Sequence, residues 1–161
     1  MEKTCTTEQA LMKAVAYCSV AEHCKEEVYC KLKQWGAPLD SFEAIVNQLE
    51  TEGFIDERRY ARAFVRDKYR FAQWGRQKIL QALKMKRLPA CHVTKAINEI
   101  DEEEYMDILT ALLRKKQGSI KANTDYERTG KLIRYAVGKG YETGIVMDCL
   151  KRIGYGDEYL E

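Results

Sequence analysis

The chain has 161 residues, 45% of them hydrophobic and 32% charged, with a formal net charge of +2. This composition excludes a disordered or fibrous chain, and the near-neutral balance excludes whole-chain attraction to a polyanion as a guide to function. Two prolines and ten glycines, set among abundant Ala, Leu, Lys, Glu and Arg, favour helix over sheet. An all-α fold is expected.

In chain order, Thr6-Thr7-Glu8-Gln9 is a capping box for a first helix that presents Leu11, Ala14, Val15 and Cys18 on one face. The apolar run near Ala10 to Ala21 is interrupted by Lys13 and is too short to span a bilayer, so it reads as amphipathic, in a cytosolic protein with no membrane partner. A second helix, from about His23 to Trp35, turns Val28 and Leu32 inward and ends at Gly36. After Pro38, Asp40 and Glu43 are placed to cap a third helix with an apolar stripe of Phe42, Ile45, Val46 and Leu49. Gly53 closes this first unit.

The pattern then recurs. Asp56 caps a helix with Tyr60, Ala61, Phe64 and Val65 inward; a break follows at Gln73-Trp74-Gly75, then a helix running to Pro89 and a third carrying Val93, Ala96, Ile97 and Ile100. Val28, Leu32, Pro38, Phe42, Val46 and Leu49 match Ile79, Leu83, Pro89, Val93, Ile97 and Ile100 at a constant offset of 51. A looser third copy bears Tyr105, Ile108, Leu109 and Leu112, then a Thr124/Glu127 capping box and a helix with Leu132 and Ala136 that Gly140 ends. Val146, Cys149, Leu150 and Ile153 lie 53 residues after Val93, Ala96, Ile97 and Ile100. Three tandem three-helix repeats are expected, over 6–53, 54–101 and 102–157, forming one elongated, curved helical array and a monomer.

Catalytic and metal chemistry find little footing. His23, Cys24 and Cys30 lack the i, i+3 or i+4 spacing that converges ligands on one helix, so the six cysteines read as reduced, core-filling thiols and the histidines as surface imidazoles. No GxSxG, HExxH or phosphate-cradling glycine loop occurs, no cofactor is called for, and Asp101-Glu102-Glu103-Glu104 suits a helix N-terminus without a cation. A non-enzymatic protein is expected.

The charge is concentrated in the middle repeat. From Asp56 to Arg87 there are eleven Lys or Arg against three acids. Arg58, Arg62, Arg66 and Arg70 recur every four residues and form a helical stripe, with Tyr60, Phe64 and Phe71 expected on roughly the opposite side. Arg59, Arg76, Lys78, Lys84, Lys86 and Arg87 extend the patch. A solvated helix face is usually laced with acids at i, i+4, and here Asp67 is the only acid between Arg58 and Arg87, so an unpaired, partner-binding surface is expected. Trp35 and Trp74 each precede a glycine at a helix end, where an indole covers the edge of a core.

Gly53-Phe54-Ile55-Asp56-Glu57-Arg58-Arg59-Tyr60-Ala61-Arg62-Ala63-Phe64, followed by Trp74-Gly75-Arg76-Gln77-Lys78-Ile79 and Ala82-Leu83-Lys84-Met85-Lys86, resembles the RecX family of recombinase regulators. Glu27-Val28, Lys31-Leu32 and Gly140-Tyr141 extend the resemblance over almost the whole chain, whereas Ala21-Glu22-His23-Cys24 departs from the family's usual arginine and serine. The resemblance implies a non-catalytic array of three-helix repeats that binds the RecA recombinase filament and limits its growth, ATP turnover and strand exchange. Single- or double-stranded DNA is a further implied partner. The alternatives are a helical DNA-binding protein with a recognition helix near Arg76 to Arg87, or a scaffold for another protein.

Overall fold

The structure, a computed structural model, describes residues 4–156. Its described residues form nine α-helices and no strand: α1 (Thr7–Val20), α2 (Lys25–Trp35), α3 (Phe42–Thr51), α4 (Glu57–Arg70), α5 (Arg76–Met85), α6 (Ala90–Asn98), α7 (Glu102–Gln117), α8 (Asp125–Gly138) and α9 (Thr143–Arg152). Three consecutive sets of three helices follow the three expected repeats. No helix among the described residues is long and apolar enough to cross a membrane.

By contact the chain divides into two compact units. The first runs to Phe64 and takes in Leu83–Ala96; the second comprises Val65–Ala82 and the chain from Ile97 onward. Long helices α4 and α5 each contribute residues to both.

In the first unit α1, α2 and α3 pack on one another around Ala10, Ala14, Val28, Leu32, Ile45, Val46 and Leu49. The reciprocal capping box of Thr6 and Gln9 starts α1 as its sequence requires. Glu27 performs the equivalent service for α2, accepting from the Cys24 backbone N–H at 3.2 Å. Gly36, at φ 76°, ends α2 in the left-handed region. The start of α3 differs from expectation. Neither Asp40 nor Glu43 caps it; Leu39–Ser41 form a 3-10 turn in which the Ser41 hydroxyl donates to the Pro38 carbonyl at 2.6 Å. Proline sets the entry angle, and the turn satisfies the groups a cap would have served.

Buried Cys18 and Cys24 fill this core as small apolar groups, and burial pushes the Cys24 thiol up to about 11, whereas Cys30 and Cys91 are exposed and correct the reading of all six as core-filling. His23 corrects the reading of a surface imidazole: its ring stacks on Tyr17 at 3.6 Å and bonds Glu27, because the polar stretch before α2 folds over the α1 aromatic. Trp35 covers the core edge as expected, meeting Tyr17 edge-on.

Glu57, the first residue of α4, is a buried carboxylate of this unit. It accepts from the Lys25 backbone N–H at 3.3 Å, the first donor of α2. Two helix N-termini favour its charge, yet burial outweighs them and the Lys25 charge, and holds its carboxyl above the usual range. A raised carboxylate pKa means the folded state binds the proton more tightly than the unfolded chain, so this group costs stability once pH exceeds the ordinary carboxylate range. E57Q is therefore expected to be more stable than the parent at pH 7, where the parent carboxylate is charged in the unfolded chain at no such cost. The gain should vanish by about pH 3, below the ordinary glutamate pKa, where the parent carboxyl is protonated in both states. Urea midpoints at the two pH values check this; an equal difference at both would mean that the charge is not the cause.

In the second unit α7, α8 and α9 pack on one another around Tyr105, Leu109, Leu113, Leu132, Ala136, Tyr141, Val146, Cys149 and Leu150. Asp101 caps α7, accepting from the Glu104 N–H at 2.8 Å. Only half of the expected box opens α8: Thr124 accepts from Glu127 N–H, while the Glu127 carboxylate turns to the Asn123 N–H and Lys131. Helix α8 stops at Gly138, and Gly140, at φ 100°, completes the reversal.

Segment 71–75 departs furthest from its sequence reading. Gln73, at φ 59°, supplies the left-handed turn, not the neighbouring glycine. Gly75 is needed for proximity. A Cβ there would lie 2.1 Å from the Gly140 carbonyl carbon and 2.2 Å from the Tyr141 nitrogen. At this crossing Gly75 N–H donates to the Lys139 carbonyl at 2.8 Å and Gln77 N–H to the Gly140 carbonyl at 2.9 Å. The expected run of α5 to Pro89 is also shortened: the helix ends at Met85, and Arg87 adopts φ 56°.

Candidate functional site

Helix α4 is amphipathic in the register its sequence demands, with Tyr60, Ala61, Val65 and Tyr69 buried. Arg58, Arg62, Arg66 and Arg70 are all exposed on it. Phe64 is half-buried, but Phe71 corrects the expectation of an inward ring: α4 ends at Arg70, the helical register lapses, and Phe71 is 80% exposed.

The expectation that this charge is unpaired holds for some cations and fails for others. In the first unit the Arg59 Nε donates to Glu22 at 2.6 Å and its Nη2 to the Gly53 carbonyl at 3.1 Å. Lys86 pairs with Glu27 at 3.3 Å. Burial alone would raise the Glu27 carboxyl, but the Cys24 N–H, His23 and Lys86 together hold it below the usual range. In the second unit Arg70 pairs with Glu104 at 2.6 Å. These acids belong to other segments, Glu22 to the loop after α1, Glu27 to α2 and Glu104 to α7, so a search at i, i+4 along α4 and α5 does not find them.

Arg76 is the most engaged. Its Nη1 donates to Glu142 at 2.6 Å, its Nη2 pairs with Glu102, and its guanidinium lies 4.1 Å from the Tyr105 ring centroid. Tyr105 accepts from the Arg76 backbone N–H at 2.9 Å and donates to Glu142. Arg76 thus sits in a closed network of charge and hydrogen bonds inside the second unit. A helix-turn-helix reader presents the first residues of its recognition helix to base edges. The first turn of α5 is instead occupied by Gly140, Tyr105 and two carboxylates.

Lys78 places its ammonium 4.4 Å from the Trp74 ring centroid, with Lys68 at 4.7 Å from the same ring. Trp74 is half-buried with two cations over it, a supporting role that its sequence position beside glycine only partly foretells. Lys84 is exposed on α5. Of the nine residues expected to bind a partner, Arg58, Arg66 and Lys84 are exposed with no carboxylate partner among the described residues, and Arg62 is exposed between the first two. Arg59, Arg70, Arg76 and Lys86 are tied to carboxylates, and Lys78 to an indole.

The acidic start of α7 has a second explanation besides the helix dipole. Glu102 meets Arg76, Glu104 meets Arg70, and Glu103 and Asp107 both meet Arg152. No group of His, Cys, Asp and Glu among the described residues is placed to hold a metal ion.

Two family models match the chain: the second three-helix domain of RecX over residues 56–97, and the third three-helix domain of RecX over residues 102–150. The chain is 28% identical over 147 residues to the regulatory protein RecX of Prosthecochloris aestuarii, covering 91% of this chain and 95% of that one. It is 30% identical over 131 residues to the regulatory protein RecX of Clostridium beijerinckii, covering 80% of this chain and 61% of that longer one. In fold it is similar to a crystal structure of regulatory protein RecX, with a TM-score of 0.83 at 20% identity over 90% of this chain and 73% of that one. It is likewise similar to RecX from Lactobacillus salivarius, with a TM-score of 0.81 at 18% identity over 91% of this chain and 96% of that one. The two three-helix domains fall on α4–α6 and α7–α9, the helices that carry the basic stripe and the paired acids, and the chain belongs to the RecX family of regulatory proteins.

Proposed function

We propose that this protein is a non-catalytic, cytoplasmic regulator that binds the RecA nucleoprotein filament and restrains its growth, ATPase and strand exchange. The observation that carries the reading is the exposed arginine stripe of α4, where Arg58 and Arg66 have no carboxylate partner among the described residues, in a chain of the RecX family. Exposed guanidiniums without partners keep their full hydrogen-bonding capacity for carboxylates or phosphates of another molecule. Contacts of this kind are individually modest and screened by salt, which suits a reversible clamp.

R58E/R66E tests the reading. Arg62 is left unchanged because it has contacts of its own. The variant should fold like the parent by helical circular dichroism, and should need at least about tenfold more protein to inhibit RecA-driven strand exchange, about 1.4 kcal/mol of lost binding. Inhibition at the parent's concentration would remove the stripe as the contact surface. If the parent itself leaves the RecA ATPase on single-stranded DNA unaffected, the recombinase is the wrong partner.

A further inference from the structure

A second basic feature lies in the third repeat and shares no residue with the stripe. A cleft of about 400 Å³ in the second unit is lined by Lys115 and Lys116 at the end of α7, Lys139 at the cap of α8, and Tyr135, Ser119 and Gln73. None of its lining residues is acidic. The ammonium groups of Lys116 and Lys139 stand 4.9 Å and 5.9 Å from the centroid of the Tyr135 ring, so the tyrosine gathers the two charges at one place.

Two ordinary reasons for lysine at a helix end fall short here. Lysine can serve the last carbonyls of a helix, but the carbonyls around this cleft are already served. That of Lys116 accepts from the Ser119 hydroxyl at 2.9 Å and its N–H at 3.0 Å, that of Lys139 from Gly75 N–H at 2.8 Å, and that of Gln73 from the Tyr141 hydroxyl at 3.1 Å. The helix dipole favours each lysine singly, yet two helix C-termini supply only about one negative charge between them, against three ammoniums. None of the three lysines has a carboxylate partner among the described residues, whereas Arg70, Arg76 and Arg152 of the same unit each do. Like charges gathered in one concavity repel, and an anion seated among them relieves the repulsion.

We infer that this cleft binds the diphosphate or triphosphate group of a small free compound. Lysine meets phosphate as a compact point charge, and several ammoniums in one place match several charges carried close together on one group. The volume falls within the range of small-molecule sites, about 300–1,000 Å³. A nucleic-acid strand is fitted less well, because strand binding uses a groove of cations along the backbone and bare aromatic faces on which successive bases stack. Here the cations form one cluster, and the one aromatic ring of the wall is already engaged by two ammoniums. An acidic peptide carries its charges singly, spaced along a backbone, and each carboxylate is read best by the planar fork of arginine.

The test is isothermal titration calorimetry of the full chain with tripolyphosphate, at about 0.1 M salt and without divalent cations. A single site is expected, weakened at least about tenfold in K115Q/K116Q/K139Q. Should the triple variant fail to fold, K115Q and K139Q singly should each weaken binding about threefold. The parent's thermal midpoint should also rise with tripolyphosphate, and that of the folded variants should rise less. ATP and UTP identify the source. Equal binding of ATP, UTP and tripolyphosphate supports a site that reads the phosphate group alone; tighter binding of ATP than of the other two supports the same site with a nucleotide as its compound. Absence of binding at about 1 mM tripolyphosphate overturns the assignment, as does binding that the variants leave unchanged. Inorganic phosphate bound as tightly as tripolyphosphate would make the occupant a single phosphate. Oligothymidylate or polyglutamate bound as tightly, and lost in the same variant, would make it a strand or an acidic protein segment, and each of these three results overturns the polyphosphate. The recombinase reading stands apart from all of them, because no recombinase is present.

Discussion

G75A is expected to destabilise the second unit by about 3–5 kcal/mol. The added methyl would fall 2.1 Å from one backbone carbon and 2.3 Å from a carbonyl oxygen of Gly140, and backbone cannot rotate away as the end of a side chain can. Helix α5 would have to lift from the α8–α9 turn, and in lifting would lose the hydrogen bonds from Gly75 N–H and Gln77 N–H. Overpacking of a tight contact costs about 1–3 kcal/mol and each backbone hydrogen bond about 1 more. A domain of ordinary stability, about 5–15 kcal/mol, would then be left with little margin. G130A supplies the control. A Cβ at Gly130, inside α8, meets nothing within 4 Å, so alanine should stabilise by up to about 1 kcal/mol through helix propensity alone. Urea denaturation of the two variants checks both signs, and a G75A midpoint equal to the parent's would mean that the close crossing does not exist in solution.

Gly75 also marks the boundary of what the amino-acid order makes legible. The three-helix repeats are readable because side-chain burial follows helical period: Val28, Leu32, Ile79 and Leu83 occupy equivalent register positions and are all fully buried. The breaks are readable too, since glycine and proline punctuate helices. The reason for a break is not. A glycine needed for φ above zero and one needed for close approach look alike in sequence, and at the two ends of α5 the left-handed residues are Gln73 and Arg87, which carry no such signal. The candidate site was half legible. The stripe of Arg58, Arg62, Arg66 and Arg70 follows from a spacing of four. Its counter-charges do not, because Glu104 is 34 residues from Arg70 and Glu142 is 66 residues from Arg76. Local acid-base spacing reports only the pairs that one helix can make with itself.

R76A is the second change expected to have a large effect, and it would act through the fold. Arg76 is the only cation paired with Glu142 among the described residues, and its side chain is just 14% exposed. Burial works against its charge, yet the carboxylates of Glu142 and Glu102 and the Tyr105 oxygen hold its guanidinium even more firmly protonated than usual. Removing one partner of a buried pair strands the other; the full cost is about 3–5 kcal/mol, and the partial exposure of Glu142 lowers the expectation to about 2–3 kcal/mol. E102A, on the exposed arm of the same network, should cost under about 1 kcal/mol. R76K should fall between, since an ammonium keeps the charge but cannot fork to both carboxylates while lying on the Tyr105 ring. Denaturant midpoints would rank the series as E102A, R76K, R76A in increasing cost, and similar costs for E102A and R76A would show that Glu142 is not held by Arg76. Inhibition of RecA by R76A, measured at a temperature where the variant is fully helical, should then match the parent, while R58E/R66E remains defective in the same assay. A folded R76A as defective as R58E/R66E would instead make Arg76 a contact residue, one that must leave its carboxylates to reach the filament.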